Sequence, residues 1–161
     1  MKYTKVQKHT TAKIVTSGYD DRYLKFDSTI TISVIGADDR TAECQFQSNN
    51  DALGFLFALG VDFDEAWSVV DGASVTKTMS ARLPDNSYRS TNVTPNQMRS
   101  VQAFLAVRNP GGRTQDSIDK NIEWLNSHPL PETLLQIVQA QISACDRLNT
   151  EMWGNPNGRA A

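Results

Sequence analysis

Hydrophobic and polar positions alternate along much of the first half of the chain. Residues 28–35 read S-T-I-T-I-S-V-I, and residues 40–47 alternate again after the turn sequence G-A-D-D. A period of two that is rich in β-branched residues is typical of a half-buried strand. The two segments therefore predict an antiparallel hairpin. Its shared apolar face is expected to be Ile30, Ile32, Val34, Ala42, Cys44 and Phe46.

Further strands are predicted near residues 12–16, at 22–26 with a bend into the hairpin, and at 74–83. A helical insert at about 50–72 separates the hairpin from the last strand. Asn50 is expected to cap its first helix and Gly60 to end that helix. Asp62 and Glu65 have the spacing of a capping box for its second helix. The apolar stripes of the two helices are Leu53, Leu56 and Phe57, and Phe63, Ala66, Trp67 and Val70.

The second half has the pattern of a helical unit. Residues 84–93 are polar and aperiodic and predict a linker, after which Thr94-Pro95 is typical of a helix start. A second helix is expected from Thr114 or Asp116, and a third from Pro131 to about Trp153. The fold class predicted is α+β: a small antiparallel β-sheet region over residues 1–83, a linker, a three-helix unit over 94–153, and a frayed tail at 154–161.

Composition and charge narrow the function classes. The 161 residues are 39% apolar and 21% charged, and the longest uncharged apolar run, Ala52–Val61, is too short to span a bilayer. We expect no signal peptide and no membrane partner. The net charge of −2 argues against a nucleic-acid binder held by bulk charge.

Charge is nevertheless distributed unevenly along the sequence. Residues 1–25 carry five Lys and one Arg against two Asp, whereas residues 26–72 carry one Arg against nine acids. The basic first strand packing beside the acidic segments is one interpretation. A basic arm presented to nucleic acid is the other, with aromatic residues available to stack on bases. Those aromatic residues are Tyr3, Tyr19, Tyr23 and Phe26.

Candidate chemistry is sparse. The two cysteines, Cys44 and Cys145, and the two histidines, His9 and His128, have no metal-ligand spacing. We expect two buried free thiols and a reducing, cytoplasmic compartment, although a disulfide is possible on count alone. The N-P-G-G-R sequence at 109–113 lacks the lysine of a phosphate loop and predicts a helix-connecting turn. We therefore expect no enzyme, no cofactor and no metal; a site assembled from distant residues remains the alternative.

The third predicted helix carries a wide apolar face with a tryptophan near each end. Such a face, with aromatic anchors, favours a protein partner or a homo-oligomer. The alternative is that the face forms the core of the helical unit and packs on the sheet. The partner-binding residues predicted on the first interpretation are Trp124, Leu134, Ile137, Val138, Leu148 and Trp153.

The segment from Ile122 to Val138 places Trp124-Leu125 before Pro129 and leads into an apolar helix. This pattern resembles the tail assembly chaperones of long-tailed bacteriophages over about 45 residues. The resemblance implies a non-enzymatic protein of the host cytoplasm that coats the hydrophobic helices of the tape measure protein. A structural or assembly component of the virion, and a nucleic-acid accessory protein using the basic N-terminal arm, are the alternative functions.

Overall fold

The structure, a computed structural model, describes residues 2–17 and 22–153. The strands within them are β1 (Lys2–Thr16), β2 (Arg22–Ile35), β3 (Thr41–Phe46), β4 (Ser74–Arg82) and β5 (Tyr88–Asn92). The helices are α1 (Asn49–Ala58), α2 (Phe63–Asp71), α3 (Pro95–Arg108), α4 (Gln115–Ser127) and α5 (Glu132–Trp153). The strands form one sheet in the order β3-β2-β1-β4-β5, so the predicted α+β class is confirmed, but the sheet is mixed and not antiparallel throughout as predicted. The predicted frayed tail, 154–161, lies outside the described residues.

The predicted hairpin is formed by β2 and β3, which pair antiparallel with Ile32 opposite Cys44. The isoleucine-rich side is buried as predicted, and Ile32 has no exposed surface. The β3 side was predicted to be buried as well, and this is wrong: Cys44 and Phe46 are half-buried and Ala42 is exposed. β3 is a six-residue strand at the edge of the sheet, so it has a neighbouring strand on one side only and its side chains have fewer neighbours to cover them.

Strand β1 is longer than the alternation predicts. It begins ten residues earlier, and its inward positions include Val6 and the buried polar residue Thr10. The Thr10 hydroxyl lies 3.0 Å from the Ser28 hydroxyl, so the buried oxygen has a hydrogen-bond partner. A threonine facing inward interrupts the apolar pattern, although threonine itself favours strands.

The predicted linker at 84–93 is wrong in its second half, because residues 88–92 form β5. This strand pairs antiparallel with β4, with Thr91 opposite Met79 and Arg89 opposite Ala81. All five of its residues are polar or amphipathic, Y-R-S-T-N, which suits a strand at the edge of a sheet but leaves no hydrophobic alternation to detect.

Helix starts follow the expected chemistry with two exceptions. Thr94 forms a complete capping box with Gln97, and Thr114 caps α4. Helix α1 is capped by Ser48 rather than Asn50, since the Ser48 hydroxyl accepts from the Asp51 N–H at 3.1 Å. Asp62 is the N-cap residue of α2, but its side chain makes no capping hydrogen bond, so the predicted capping box is absent there.

The chain divides into two compact units that differ from the predicted sheet and helix regions. The first unit comprises residues 1–11 and 26–77, and the second comprises 12–25 and 78–161. The first is built on a core of Val6, Ile30, Ile32, Val34, Ala52, Leu53, Leu56, Ala66 and Val70. The core of the second is formed by Ala12, Ile14, Met79, Val93, Met98, Val101, Leu105, Leu134, Ile137, Val138, Ile142 and Cys145.

Candidate functional site

Three of the predicted partner-binding residues lie in the core of the second unit. Leu134, Ile137 and Val138 are buried and pack in the same cluster as Ile14 and Met79. The prediction that they contact a partner is wrong for this fold, because their surfaces are covered by the unit's own strands and helices. The apolar face of α5 is wide because it packs against the strands and also against helix α3 of the second unit.

Among the described side chains of the predicted α5 contact face, those exposed lie at its C-terminal end. Leu148 is 55% exposed and Met152, one helical turn further, is 70% exposed. The side chain of Trp153, also predicted to bind a partner, lies outside the described residues. The predicted α5 contact surface is thus reduced, among the described side chains, to a small patch at its end.

Trp124, the remaining predicted contact, is half-buried and makes internal contacts. Its indole N–H donates to the Ser100 hydroxyl at 3.0 Å, and its ring stacks on His128 with centroids 3.8 Å apart. The Arg99 guanidinium lies 5.4 Å from the same ring. The Ser100 hydroxyl in turn donates to the His128 carbonyl at 2.8 Å. These contacts connect α3 to the end of α4, so Trp124 has a structural role.

A different surface exposes large aromatic side chains. Phe57 of α1 stacks on Phe63 of α2 with ring centroids 5.8 Å apart, and Trp67 meets Phe63 edge-on at 6.3 Å. We call Phe57, Phe63 and Trp67 the aromatic cluster. They are 40%, 62% and 36% exposed, respectively. Contiguous exposed apolar side chains of this size are typical of interaction sites.

The local fold explains why the aromatic cluster faces outward. Helices α1 and α2 direct their smaller apolar residues, including Leu56, Ala66 and Val70, into the core of the first unit. Between the helices, Gly60 adopts a φ of +85°, a conformation that glycine reaches without strain and that closes the turn. The sequence pattern places the aromatic residues and the core residues of each helix on one apolar stripe. The α2 stripe has four apolar positions in a nine-residue helix, more than one core face needs.

The surroundings of the aromatic cluster are acidic. Asp64 and Glu65 lie in the first turn of α2, close to the N-cap residue Asp62. The Tyr3 hydroxyl donates to the Glu65 carboxylate at 2.8 Å, and this hydrogen bond raises the pKa of Tyr3 above its ordinary value. The first unit as a whole has a net charge of −4, from nine Asp and Glu against four Lys and one Arg. A cationic partner is therefore favoured over an anionic one.

Within the described residues, no group of three or more His, Cys, Asp or Glu side chains is placed to hold a metal ion. No helix among those residues combines the length and hydropathy needed to cross a membrane. Both cysteines are free thiols; Cys145 is buried as expected, whereas Cys44 is half-buried, contrary to expectation. No family model matches the chain, and comparisons with curated proteins and with solved structures give no match.

Proposed function

We infer that this chain is a non-enzymatic protein-binding protein, whose aromatic cluster holds an amphipathic helix with a basic polar face. The observation that carries this function is the exposure of Phe57, Phe63 and Trp67 on one surface of the first unit. The cluster consists of large side chains in contact with one another, which distinguishes it from isolated surface apolar residues.

Burial of the aromatic cluster supplies the driving force for binding. Aromatic side chains of this kind bury about 150–250 Å² each when fully covered. At about 25 cal/mol per Å², covering even half of the cluster contributes several kcal/mol before the entropic costs of association. Tryptophan is also among the residues that most often dominate binding at interfaces.

Charge indicates what kind of helix binds. Asp62, Asp64 and Glu65 lie beside the aromatic residues along α2. An incoming helix with Lys or Arg beside its apolar stripe finds complementary carboxylates there, whereas an acidic helix is repelled. Helix recognition of this kind uses apolar anchors at helical spacing, and the three exposed rings supply apolar contacts for such anchors.

Within this class, we favour an assembly chaperone of the phage tail type acting in the host cytoplasm, with the tape measure protein as its long helical partner. The support is the helix-break-helix resemblance around Trp124 together with an exposed aromatic surface suited to hydrophobic helices. Because the apolar face of α5 is covered, the contact is assigned to α1 and α2.

The test is isothermal titration calorimetry with two synthetic helical peptides that share one apolar face. One carries lysine on its polar face and the other carries glutamate. We expect the lysine peptide to bind more tightly, with an affinity that falls as salt increases. Phe63→Ser should weaken binding at least about tenfold, as for an interface anchor. Tyr88→Ser is the matched control, since Tyr88 is 65% exposed but lies on β5.

Two results would contradict the proposed function. The first is absence of binding by either peptide to protein that is folded by circular dichroism. The second is equal loss of affinity in Phe63→Ser and Tyr88→Ser, which would mean that any exposed aromatic residue serves and that the aromatic cluster is not a site.

A further inference from the structure

The second unit contains a groove whose walls carry three arginines. Its volume is about 970 Å³, and Arg82, Arg108 and Arg147 line it together with polar residues of α5. The aromatic cluster belongs to the first unit, so the groove is independent of the function proposed above.

The polar stripe of α5 forms one wall of the groove. Gln136, Gln139, Ser143 and Arg147 are spaced by three or four residues and therefore lie on one face of the helix. The opposite face of α5 carries the buried residues Ile137, Val138 and Ile142. Because that face is fixed in the core, the polar stripe has a defined orientation toward the groove.

The turn between β4 and β5 forms a second wall. The Arg82 guanidinium donates to the carbonyl and the side-chain oxygen of Asn86, at 3.0 and 3.2 Å, and both residues line the groove. Asp85 is the one acidic residue of the lining. Its carboxylate accepts hydrogen bonds from the Ser87 hydroxyl and N–H, and these lower the pKa of Asp85.

The groove therefore carries a net charge of +2. Among the described residues, neither Arg108 nor Arg147 has a salt bridge or a hydrogen-bonding acid, and both side chains are exposed. Three guanidinium groups around one groove repel one another unless an anion lies between them. Arginine presents a planar fork of donors that binds phosphate in two-point contacts, and the side-chain amides and the Ser143 hydroxyl add neutral donors.

We propose that this groove binds a ligand with several linked phosphate groups, such as an oligophosphate or the triphosphate of a nucleotide. The groove volume lies at the upper end of the ~300–1,000 Å³ typical of small-molecule sites. A groove of this size is larger than one phosphate requires. Single-stranded nucleic acid is the less favoured ligand, because the lining contributed by the described residues includes no aromatic side chain for base stacking.

The experiment is a calorimetric titration of the full chain with inorganic tripolyphosphate, at about 0.15 M ionic strength to screen weak surface attraction. Citrate at the same ionic strength is the comparison anion. We expect saturable binding of one tripolyphosphate per chain, at least about tenfold tighter than citrate. The midpoint of thermal unfolding should rise with tripolyphosphate concentration, since a ligand that binds only the folded state stabilises it.

Three variants locate the site. Arg108→Ala and Arg147→Ala should each weaken binding by about tenfold or more, the scale of a charge-assisted hydrogen bond. Arg40→Ala removes the same charge from an exposed turn of the first unit and should leave the affinity unchanged. Thermal unfolding of each variant without ligand verifies that it is folded.

An ATP titration identifies the source of the phosphates. Affinity equal to that of tripolyphosphate indicates recognition of the phosphates alone, and higher affinity indicates that the nucleoside is bound as well. Both results support the proposal. Absence of tripolyphosphate binding, equal binding of citrate, equal weakening by Arg40→Ala, or arginine-dependent binding of an oligothymidine without tripolyphosphate binding would each overturn it.

Discussion

The backbone N–H of Ile14 donates to the side-chain oxygen of Gln141 at 2.8 Å. The nitrogen of the same side chain donates to the Ser80 carbonyl at 2.7 Å. Gln141 belongs to α5, whereas Ile14 and Ser80 belong to the neighbouring strands β1 and β4. One buried amide therefore provides hydrogen-bond partners to backbone groups of two strands, which connects the helix to the sheet of the second unit.

Replacement of this amide should be costly. Gln141→Leu keeps most of the side-chain volume but leaves the Ile14 N–H and the Ser80 carbonyl without these partners. A buried polar group left unsatisfied costs about 1–3 kcal/mol, so we expect the free energy of unfolding to fall by roughly 2–4 kcal/mol. Urea denaturation monitored by circular dichroism measures the change.

Gln139→Leu is the control for this prediction, because Gln139 lies on the exposed face of the same helix. Its effect on the free energy of unfolding should stay within about 0.5 kcal/mol. Equal destabilisation by the two substitutions would show that the Gln141 amide has no special role.

The sequence could not have revealed Gln141. It is one of three glutamines in Q-I-V-Q-A-Q-I, and its environment differs from that of the other two. Gln136 and Gln139 are exposed and line the groove, and Gln141 is buried. Helical periodicity places Gln141 near the apolar face, but only the packed sheet shows which backbone groups need its amide.

The β2–β3 register gives a second prediction. Ile32 is fully buried and Thr31 points to the other face of the strand. Ile32→Asp places a carboxylate in the core of the first unit and should lower the free energy of unfolding by more than about 4 kcal/mol, enough to unfold many domains. Thr31→Asp should be tolerated, with a change below about 1 kcal/mol. Thermal unfolding of the two variants measures the destabilisation that each substitution causes. Comparable destabilisation by both would contradict the register.

The cysteines are expected to react at different rates. Cys145 is buried and its thiol donates to the Ile14 carbonyl at 3.3 Å, whereas Cys44 is half-buried in the edge strand β3. The single-thiol variants Cys44→Ser and Cys145→Ser separate the two signals in a reaction with a chromogenic disulfide. Cys44, which remains in Cys145→Ser, should react faster than Cys145, which remains in Cys44→Ser. Unfolded native-sequence protein should show two thiol equivalents without reductant, and finding none would mean that a disulfide had formed.

Burial raises the pKa of the Cys145 thiol above its ordinary value, and nearby Arg22 and Lys13 oppose the shift. A group whose pKa is higher in the folded state stabilises the fold below its unfolded pKa, and this contribution is lost as pH rises through the folded value. Stability should therefore decline above about pH 8.5, the ordinary thiol range. If the free energy of unfolding declines less in Cys145→Ala than in Cys44→Ala over that range, the Cys145 thiol contributes to the pH dependence. Identical pH profiles would contradict this assignment.

How far the sequence predicts function differs between the two helical regions. The sequence pattern gives α1 and α2 one apolar stripe each, yet Phe57 and Phe63 on those stripes are exposed. Conversely, the face of α5 that was assigned to a partner includes the buried Ile137. Periodicity identifies the apolar side of a helix, but whether the chain itself covers that side depends on how many strands pack against it. The start of α3, by contrast, is predicted from the adjacent pair Thr94-Pro95 and is confirmed, although the capping box with Gln97 was not predicted.

The final prediction concerns Trp124, which the sequence assigned to a partner and the structure connects to Ser100. Trp124→Phe keeps an aromatic ring against His128 but removes the indole N–H that donates to the Ser100 hydroxyl. We expect a loss of about 1 kcal/mol in the free energy of unfolding, as for one internal hydrogen bond, plus a smaller loss of packing. Affinity for the lysine peptide should not change, because Trp124 lies in the second unit.

Trp67→Phe is the matched control, since it makes the same substitution at an exposed tryptophan. It should leave the free energy of unfolding within about 0.5 kcal/mol of the starting protein, because part of the ring is already in water. It should instead weaken peptide binding, since Trp67 belongs to the aromatic cluster. If Trp124→Phe weakened binding and left stability unchanged, Trp124 would be a partner contact and its structural role would be refuted.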